Sequence, residues 1–338
     1  MRVAVVGCGG ISKCHLDALS AMEDVEISSV TDIRLERAGA AAEKYGCSAY
    51  GDFREMLDAD APEAVHICTP HYLHVPMAVE ALGRGIHVLS EKPCAIKADE
   101  LSRLRLAQSM SSAVYGVCFQ NRYNGSVKTV MELLQQGKYG RIITARACVH
   151  WFRDKEYYSD DWHGTITREG GGVMVNQAVH TLDLMRYLIG GRIAYVDAHV
   201  ANYHLRDIIE VEDTADARFV FEDGTVALFS ASTAFGISSD IIIDLCCEKA
   251  TIRIEGDNVF VLSNGEVEVV HTAGADNGIA GKSYWGTSHG ALINDFYDCI
   301  KTGRKFPIDS YEGGKAVEEF LAVYRSSETG SRVYLERK

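Results

Sequence analysis

Over the first 119 residues, short apolar runs alternate with helical segments, and that alternation restricts the chain to strand-helix-strand units on a parallel sheet. Strands are read at Val3 to Val6, Val25 to Thr31, Ala64 to Cys68, His87 to Ser90 and Ala113 to Phe119. Helices are read at Ile11 to Ala21, Leu35 to Tyr45, Pro76 to Leu82 and Ala98 to Met110, with another opened by the capping residues Asp52 and Glu55. The result is a doubly wound α/β domain. By about Gly125 the pattern changes: a helix from Ser126 to Gln136 leads into Ile142 to Trp151. Alternating runs follow at Ile193 to His204, Thr214 to Phe221, Val226 to Thr233, Ile241 to Cys246, Thr251 to Ile254 and Val259 to Leu262. These read as an antiparallel sheet, with Glu222-Asp223-Gly224 as a hairpin turn. Further helices are read at Val173 to Leu188, Tyr284 to Thr302 and Tyr311 to Ser326, before a terminal strand.

At 338 residues, 47% of them hydrophobic, the chain fills two domains, expected at 1–120 and 121–338. A net charge of -13 and no basic run interleaved with aromatics exclude nucleic acid as a partner. No apolar run reaches membrane-spanning length, and the chain opens directly into a strand, so a cytoplasmic protein without a membrane partner is expected. The ten cysteines contain no Cys-x-x-Cys pair. They read as small buried hydrophobes kept reduced, and no metal is expected. Cys94 is set apart by its place two residues after Lys92.

Gly7-Cys8-Gly9-Gly10-Ile11-Ser12 follows the first strand and opens the first helix, the context in which a glycine turn brings a pyrophosphate onto backbone N–H groups. Asp32 ends the second strand where a carboxylate holds the adenine-ribose hydroxyls, with Ile33 and Arg34 beside it. A carboxylate there repels a 2′-phosphate and points to NAD, while Arg34 and Arg37 keep NADP open. Ligands on this fold lie across the carboxyl ends of the strands. That selects Thr69-Pro70-His71, Glu91-Lys92-Pro93 and Gln120-Asn121-Arg122 as lining segments, with His74 just beyond the first.

Gly85 to Ser90 reads as a turn and buried strand that delivers Lys92 to the sheet edge, where Pro93 fixes the local backbone. In the second half, Glu169-Gly170-Gly171-Gly172 precedes a helical segment on which Asn176 and His180, four apart, share a face. The aromatic loop from Arg153 to Gly172, with Trp151, Trp162 and His163, supplies flat surfaces of the kind on which sugar rings stack.

Together, Gly-x-Gly-x-x-Ser, Thr69-Pro70 with His74, Glu91-Lys92-Pro93, and the three glycines with Asn176 and His180 resemble the Gfo/Idh/MocA family of oxidoreductases, in order and spacing over nearly the whole chain. The resemblance implies an N-terminal Rossmann domain and a C-terminal α+β domain with a large, mostly antiparallel open sheet, through which a homodimer or homotetramer forms. It allows the C-terminal helix to pack back on the first domain. It also implies hydride transfer between a nicotinamide and a secondary hydroxyl of a sugar, sugar derivative, glycoside or cyclitol. Lys92 matches the family's active-site lysine and His180 its proton acceptor. Sugar-alcohol and inositol dehydrogenases of the family often carry Asp where this chain has Asn176, so Asn176 is read as positioning substrate rather than relaying a proton. Arg122, Tyr157, Trp162, His163 and Gln177 are candidates to hold the rest of the substrate. Two other readings use the same fold: a redox glycosidase or lyase that recycles NAD, and a non-catalytic nucleotide sensor, against which Lys92 and His180 both argue.

Overall fold

The computed structural model describes residues 1–273 and 288–335, which form two compact units. The first comprises residues 1–120 and 288–314 of these, and the second residues 121–273 and 315–335.

In the first unit, β1 (Arg2–Val6), β2 (Glu26–Thr31), β3 (Ser48–Tyr50), β4 (Ala64–Ile67), β5 (His87–Ser90) and β6 (Tyr115–Val117) form a sheet of order β3-β2-β1-β4-β5-β6. Every pairing is parallel. The helices α1 (Ser12–Ser20), α2 (Leu35–Tyr45), α3 (Phe53–Asp60), α4 (His74–Gly83) and α5 (Ala98–Met110) connect them. Parallel strands buried on both faces need continuous apolar runs, and Val3, Val5, Val65, Ile67, Val88 and Leu89 are fully buried. Asp52 caps α3, accepting from the backbone N–H groups of Arg54 and Glu55. β3 escaped the sequence reading because its Ser-Ala-Tyr carries no apolar run; pairing with β2 alone makes it a strand. The strand order reverses between β1 and β4, and ligands gather at such a switch point in this class of sheet.

The second unit contains α6 (Gly125–Gln135), β7 (Ile142–His150), α7 (Val179–Ile189), β8 (Ile193–Ala201), β9 (Thr214–Phe221), β10 (Val226–Ser232), β11 (Ile242–Cys247), β12 (Thr251–Glu255), β13 (Asn258–Ser263) and β14 (Glu266–His271). With β15 (Val333–Tyr334) the nine strands run in the order β14-β13-β12-β11-β7-β10-β9-β8-β15, and only β7 and β10 pair parallel. Gly224 takes φ +89° in the β9–β10 turn. β14 was not expected from its charged sequence; Asn264 and Gly265, both at positive φ, make the tight turn that returns it onto β13. One face of the sheet packs on α6 and α7 through Ala145, Ala147, Ile243, Leu245 and Ile252. The other carries the ion pairs Arg146–Asp244–Arg253 and Arg218–Asp197.

Two sequence expectations change here. The helix read at Val173 to Leu188 begins at Val179, because the glycine-rich approach is bound to Glu212 instead. The Glu212 carboxylate accepts from the backbone N–H groups of Gly172 and Met174, and its carbonyl accepts from Val173. Gly172 admits no side chain, since a Cβ would meet the Glu212 carbonyl oxygen at 1.9 Å. The expected second domain is also interrupted: α8 (His289–Thr302) belongs to the first unit, whereas α9 (Gly314–Thr329) continues into the second. α8 buries Leu292, Ile293, Phe296 and Tyr297 and packs on α1. Residues 284–287 of the expected helix lie outside the described residues.

Candidate active site

The glycine turn begins where β1 ends. Gly7 stands at φ +88°, and a Cβ there would meet the Cys68 carbonyl oxygen at 2.6 Å, so only glycine lets β1 and the end of β4 approach so closely. Gly9 and the exposed Gly10 have open space or solvent before them. Ile11 caps α1, and the Ser12 hydroxyl, standing at the third-glycine position, donates to the Gly9 carbonyl at 2.7 Å. The Asp32 carboxylate accepts from the backbone N–H of Cys8 and of Arg34, both at 2.8 Å, which fastens the end of β2 to the turn. Ile33 beside it is 88% exposed. An open turn at a helix N-terminus with an acidic residue at the tip of the next strand fits the pyrophosphate and adenine-ribose of a dinucleotide. The Cys8 thiol is pushed up to about 12 by burial and by the Asp32 charge, so it is inert there.

Thr69 and Pro70 follow β4, half-buried, while His71 and His74 are buried. His74, expected at the cofactor, is instead a tie between loops: its Nδ1 lies 2.8 Å from the Pro93 carbonyl oxygen and its Nε2 2.8 Å from that of Thr69. Glu91 is likewise not a lining residue, being only 5% exposed. One of its oxygens accepts from the backbone N–H of Lys92 at 3.2 Å, and the other lies 3.0 Å from His15 Nε2. The Lys92–Pro93 peptide is cis, and the Lys92 side chain is half-buried.

Behind Glu91 runs a hydrogen-bonded chain that no local pattern announced. His15 Nδ1 lies 2.8 Å from His66 Nδ1, and His66 Nε2 lies 2.9 Å from the Tyr297 hydroxyl. A carboxylate only accepts, so with one proton on each ring the order runs from Tyr297 to His66, to His15, to Glu91. Burial holds His66 well below and Tyr297 well above their ordinary pKa values, keeping both neutral. Burial alone would raise the Glu91 carboxyl, but hydrogen bonding and charge from His15, with the charges of His289 and Lys92, hold it well below the carboxylate range.

In the second unit the aromatic loop is anchored by Tyr158, which packs with Leu205, Ile209 and Val211. Tyr157 lies against this cluster, and its hydroxyl accepts from the side-chain amides of Asn176 at 3.3 Å and Gln177 at 3.2 Å. The Tyr157 and His163 rings are 4.9 Å apart, and those of Trp162 and His163 3.8 Å. Five of the six expected substrate residues therefore gather at one place. Asn176 reaches it from the turns before α7, not from the helix. His180 is half-buried at the second position of α7. Asn121 lies in the single turn Gln120–Tyr123 after β6.

Arg122 is the exception. Its guanidinium forms a buried two-pronged pair with Asp183 and lies over the Tyr187 ring, so it serves the scaffold. Burial would raise the Asp183 carboxyl, yet the charges of Arg122 and Arg186 hold it below its ordinary range. The residue missed in this region is Glu169, fully buried, whose carboxylate accepts from the Asn176 amide and from the Gly164 backbone N–H. Its sequence signal was position: an acid directly before three glycines, where the backbone comes close enough to bury it.

Residues 1–119 match the family profile described as an oxidoreductase family with NAD-binding Rossmann fold, and residues 127–253 match that of the GFO/IDH/MocA C-terminal domain. The chain belongs to the Gfo/Idh/MocA family. Among curated members it is 28% identical to D-glucoside 3-dehydrogenase of Escherichia coli, over 99% of this chain and 97% of that one. It is 24% identical to Myo-inositol 2-dehydrogenase of Thermotoga maritima, over 99% of each. Among solved structures, the WlbA dehydrogenase from Bordetella pertussis, in complex with NADH and UDP-GlcNAcA, is 28% identical with a TM-score of 0.86, covering 100% of this chain and 99% of that one. Levoglucosan dehydrogenase, at 21% identity and a TM-score of 0.89 over 100% of both chains, shares the family fold.

Proposed function

We propose that this member is an NAD-dependent dehydrogenase acting on a secondary hydroxyl of a sugar, sugar derivative, glycoside or cyclitol. The observation that carries the reading is the Glu91-Lys92-Pro93 segment at the carboxyl end of β5, held from beneath by a buried carboxylate in an NAD-binding Rossmann unit. Support also comes from relatives named as glucoside and inositol dehydrogenases.

When bound, NAD supplies the acceptor for the carbon-bound hydride. Gly7, Gly9, Gly10, Ile11 and Ser12 hold its pyrophosphate, Asp32, Ile33 and Arg34 its adenine-ribose, and Thr69, Pro70, Lys92 and Asn121 line the nicotinamide end. His180 takes the hydroxyl proton at a ring nitrogen, and the Lys92 ammonium stabilises the alkoxide that develops as the proton leaves. Asn176, Gln177, Tyr157, Trp162 and His163 orient the substrate, with Glu169 holding the Asn176 amide. Residues 1–120 are the nucleotide domain, and the second unit binds substrate. Asp32 favours NAD because its carboxylate, fixed on the Cys8 N–H, repels a 2′-phosphate.

The test is a cofactor-reduction screen against monosaccharides, cyclitols, glycosides and nucleotide sugars, with NAD and NADP in parallel. Net NADH accumulation with one substrate class is expected. Product formed without it would replace the dehydrogenase by an NAD-recycling enzyme. Ten free thiols support a reducing, cytoplasmic setting, which cell fractionation checks. The ion-paired, half-exposed face of the nine-stranded sheet supports a homodimer or homotetramer, which light scattering on the eluted protein checks.

A further inference from the structure

Four side chains from four separate places in the chain converge inside the first unit: His15 on α1, Glu91 after β5, Cys118 after β6 and His289 at the start of α8. All four are buried, and their donor atoms lie within 4.8 Å of one another. His15 Nε2 is 3.0 Å and His289 Nε2 3.9 Å from the same Glu91 oxygen, Oε1. His289 is 1% exposed, and its Nε2 makes no hydrogen bond among the described residues. A buried ring nitrogen aimed at a carboxylate without bonding it marks a position for a third group between them.

Two imidazoles, a thiol and a carboxylate form a donor set for zinc, which takes nitrogen, sulfur and oxygen in a tetrahedron. The charges also close: one carboxylate and one thiolate together cancel a divalent cation, which a dry pocket demands. The neighbouring groups have the form of an outer shell. With zinc on Nε2 the His15 proton stands on Nδ1 and donates to His66, whose Nε2–H donates in turn to the Tyr297 hydroxyl, the reverse of the metal-free order and the arrangement that fixes the ring of a ligating histidine. In a filled tetrahedral site the donors stand about 3.3 to 3.8 Å apart, so binding draws this set together by about an ångström at its widest. The absence of Cys-x-x-Cys spacing does not bear on such a set, because the fold rather than the local sequence assembles it.

We propose that His15, Glu91, Cys118 and His289 bind a structural zinc ion. The ion pins α1, which the glycine turn opens, and α8 to the segment that carries Lys92.

The test uses the full-length protein, expressed in minimal medium with zinc or with cobalt in its place, purified reduced and dialysed against chelator. About one zinc per chain is expected by elemental analysis. The cobalt protein should show the intense visible bands of tetrahedral coordination and a thiolate-to-cobalt charge-transfer band. Cys118→Ser removes the charge-transfer band, and His289→Gln lowers retained metal at least about tenfold. Cys246→Ser, a half-buried thiol of the second unit, changes neither. NAD titration of each variant reports that the fold survives. A folded, NAD-binding wild type that retains no zinc and gives no tetrahedral cobalt spectrum overturns the proposal. Metal retained undiminished in both ligand variants overturns it as well. If either variant fails to fold, the wild-type cobalt spectrum decides.

Discussion

In the first unit Glu91 gives its carboxylate to a ring of His15 and to the backbone N–H of Lys92, whereas in the second Glu169 gives its carboxylate to the backbone N–H of Gly164 and the side-chain amide of Asn176. Both acids are buried, and each stands directly before a segment to which the proposed function gives a role. Glu91 fixes main chain against rings packed beneath a parallel sheet, in an arrangement that leaves little to vary. Glu169 orients the Asn176 side chain among loop aromatics. Under the proposed function, the first device holds the lysine of the reaction and the second holds a group that orients substrate.

The most severe break is Asp183→Asn, which takes from the buried Arg122 its two-pronged carboxylate and leaves Arg186 with Glu319. A loss of about 3–5 kcal/mol is expected by denaturant unfolding. Asp183 also fixes the sign of a pH effect. Its folded pKa lies below the ordinary 3.8, so its stabilisation is present above that value and is lost as pH falls through the lower folded one. Acid unfolding of the wild type below pH 3.8 should therefore be steeper than that of the variant.

Lys92→Ala should leave NAD binding measurable while turnover falls at least about a hundredfold. Unchanged turnover would remove the role assigned to the lysine. Next come the paired acids. Glu91→Gln should lower kcat about tenfold with substrate KM little changed, and Glu169→Gln should raise substrate KM about tenfold with kcat little changed, each the scale of one charged hydrogen bond. The same kinetic pattern in both variants would erase the distinction. Tyr157→Phe, which removes only the hydroxyl between Asn176 and Gln177, should raise KM about threefold and leave stability almost unaltered.

Local pattern carried much of the fold. α2 and α5 span the residues that periodicity assigned, β9 likewise, and the glycine turn stands between β1 and α1. What escaped was short or shaped by partners. β3 has three residues and no apolar alternation, and β14 is charged, although the Asn264-Gly265 turn before it was a readable hairpin signal. The helix through Asn176 failed because turns closed on the Gly172 and Val173 carbonyls, held in place by Glu212, a distant residue in the chain, stand where its first turns were expected. Of the site, Tyr157, Trp162, His163 and Gln177 were visible as types suited to a sugar and do gather. Arg122 lies on Asp183, away from the aromatic cluster, since a guanidinium near a strand end suits a ligand and an internal carboxylate equally well.

By itself the sequence determined the two fold classes, the dinucleotide turn with Asp32, and the Glu91-Lys92-Pro93 segment, because each follows from side-chain periodicity or from residues a few positions apart. Only the tertiary structure decided that Glu91 lies beneath that segment on a chain of His15, His66 and Tyr297. It also decided that α8 joins the first unit and that Cys118 and His289 meet beside His15. Those choices depend on burial and on partners far apart in the chain, and neither is written in any local run of residues.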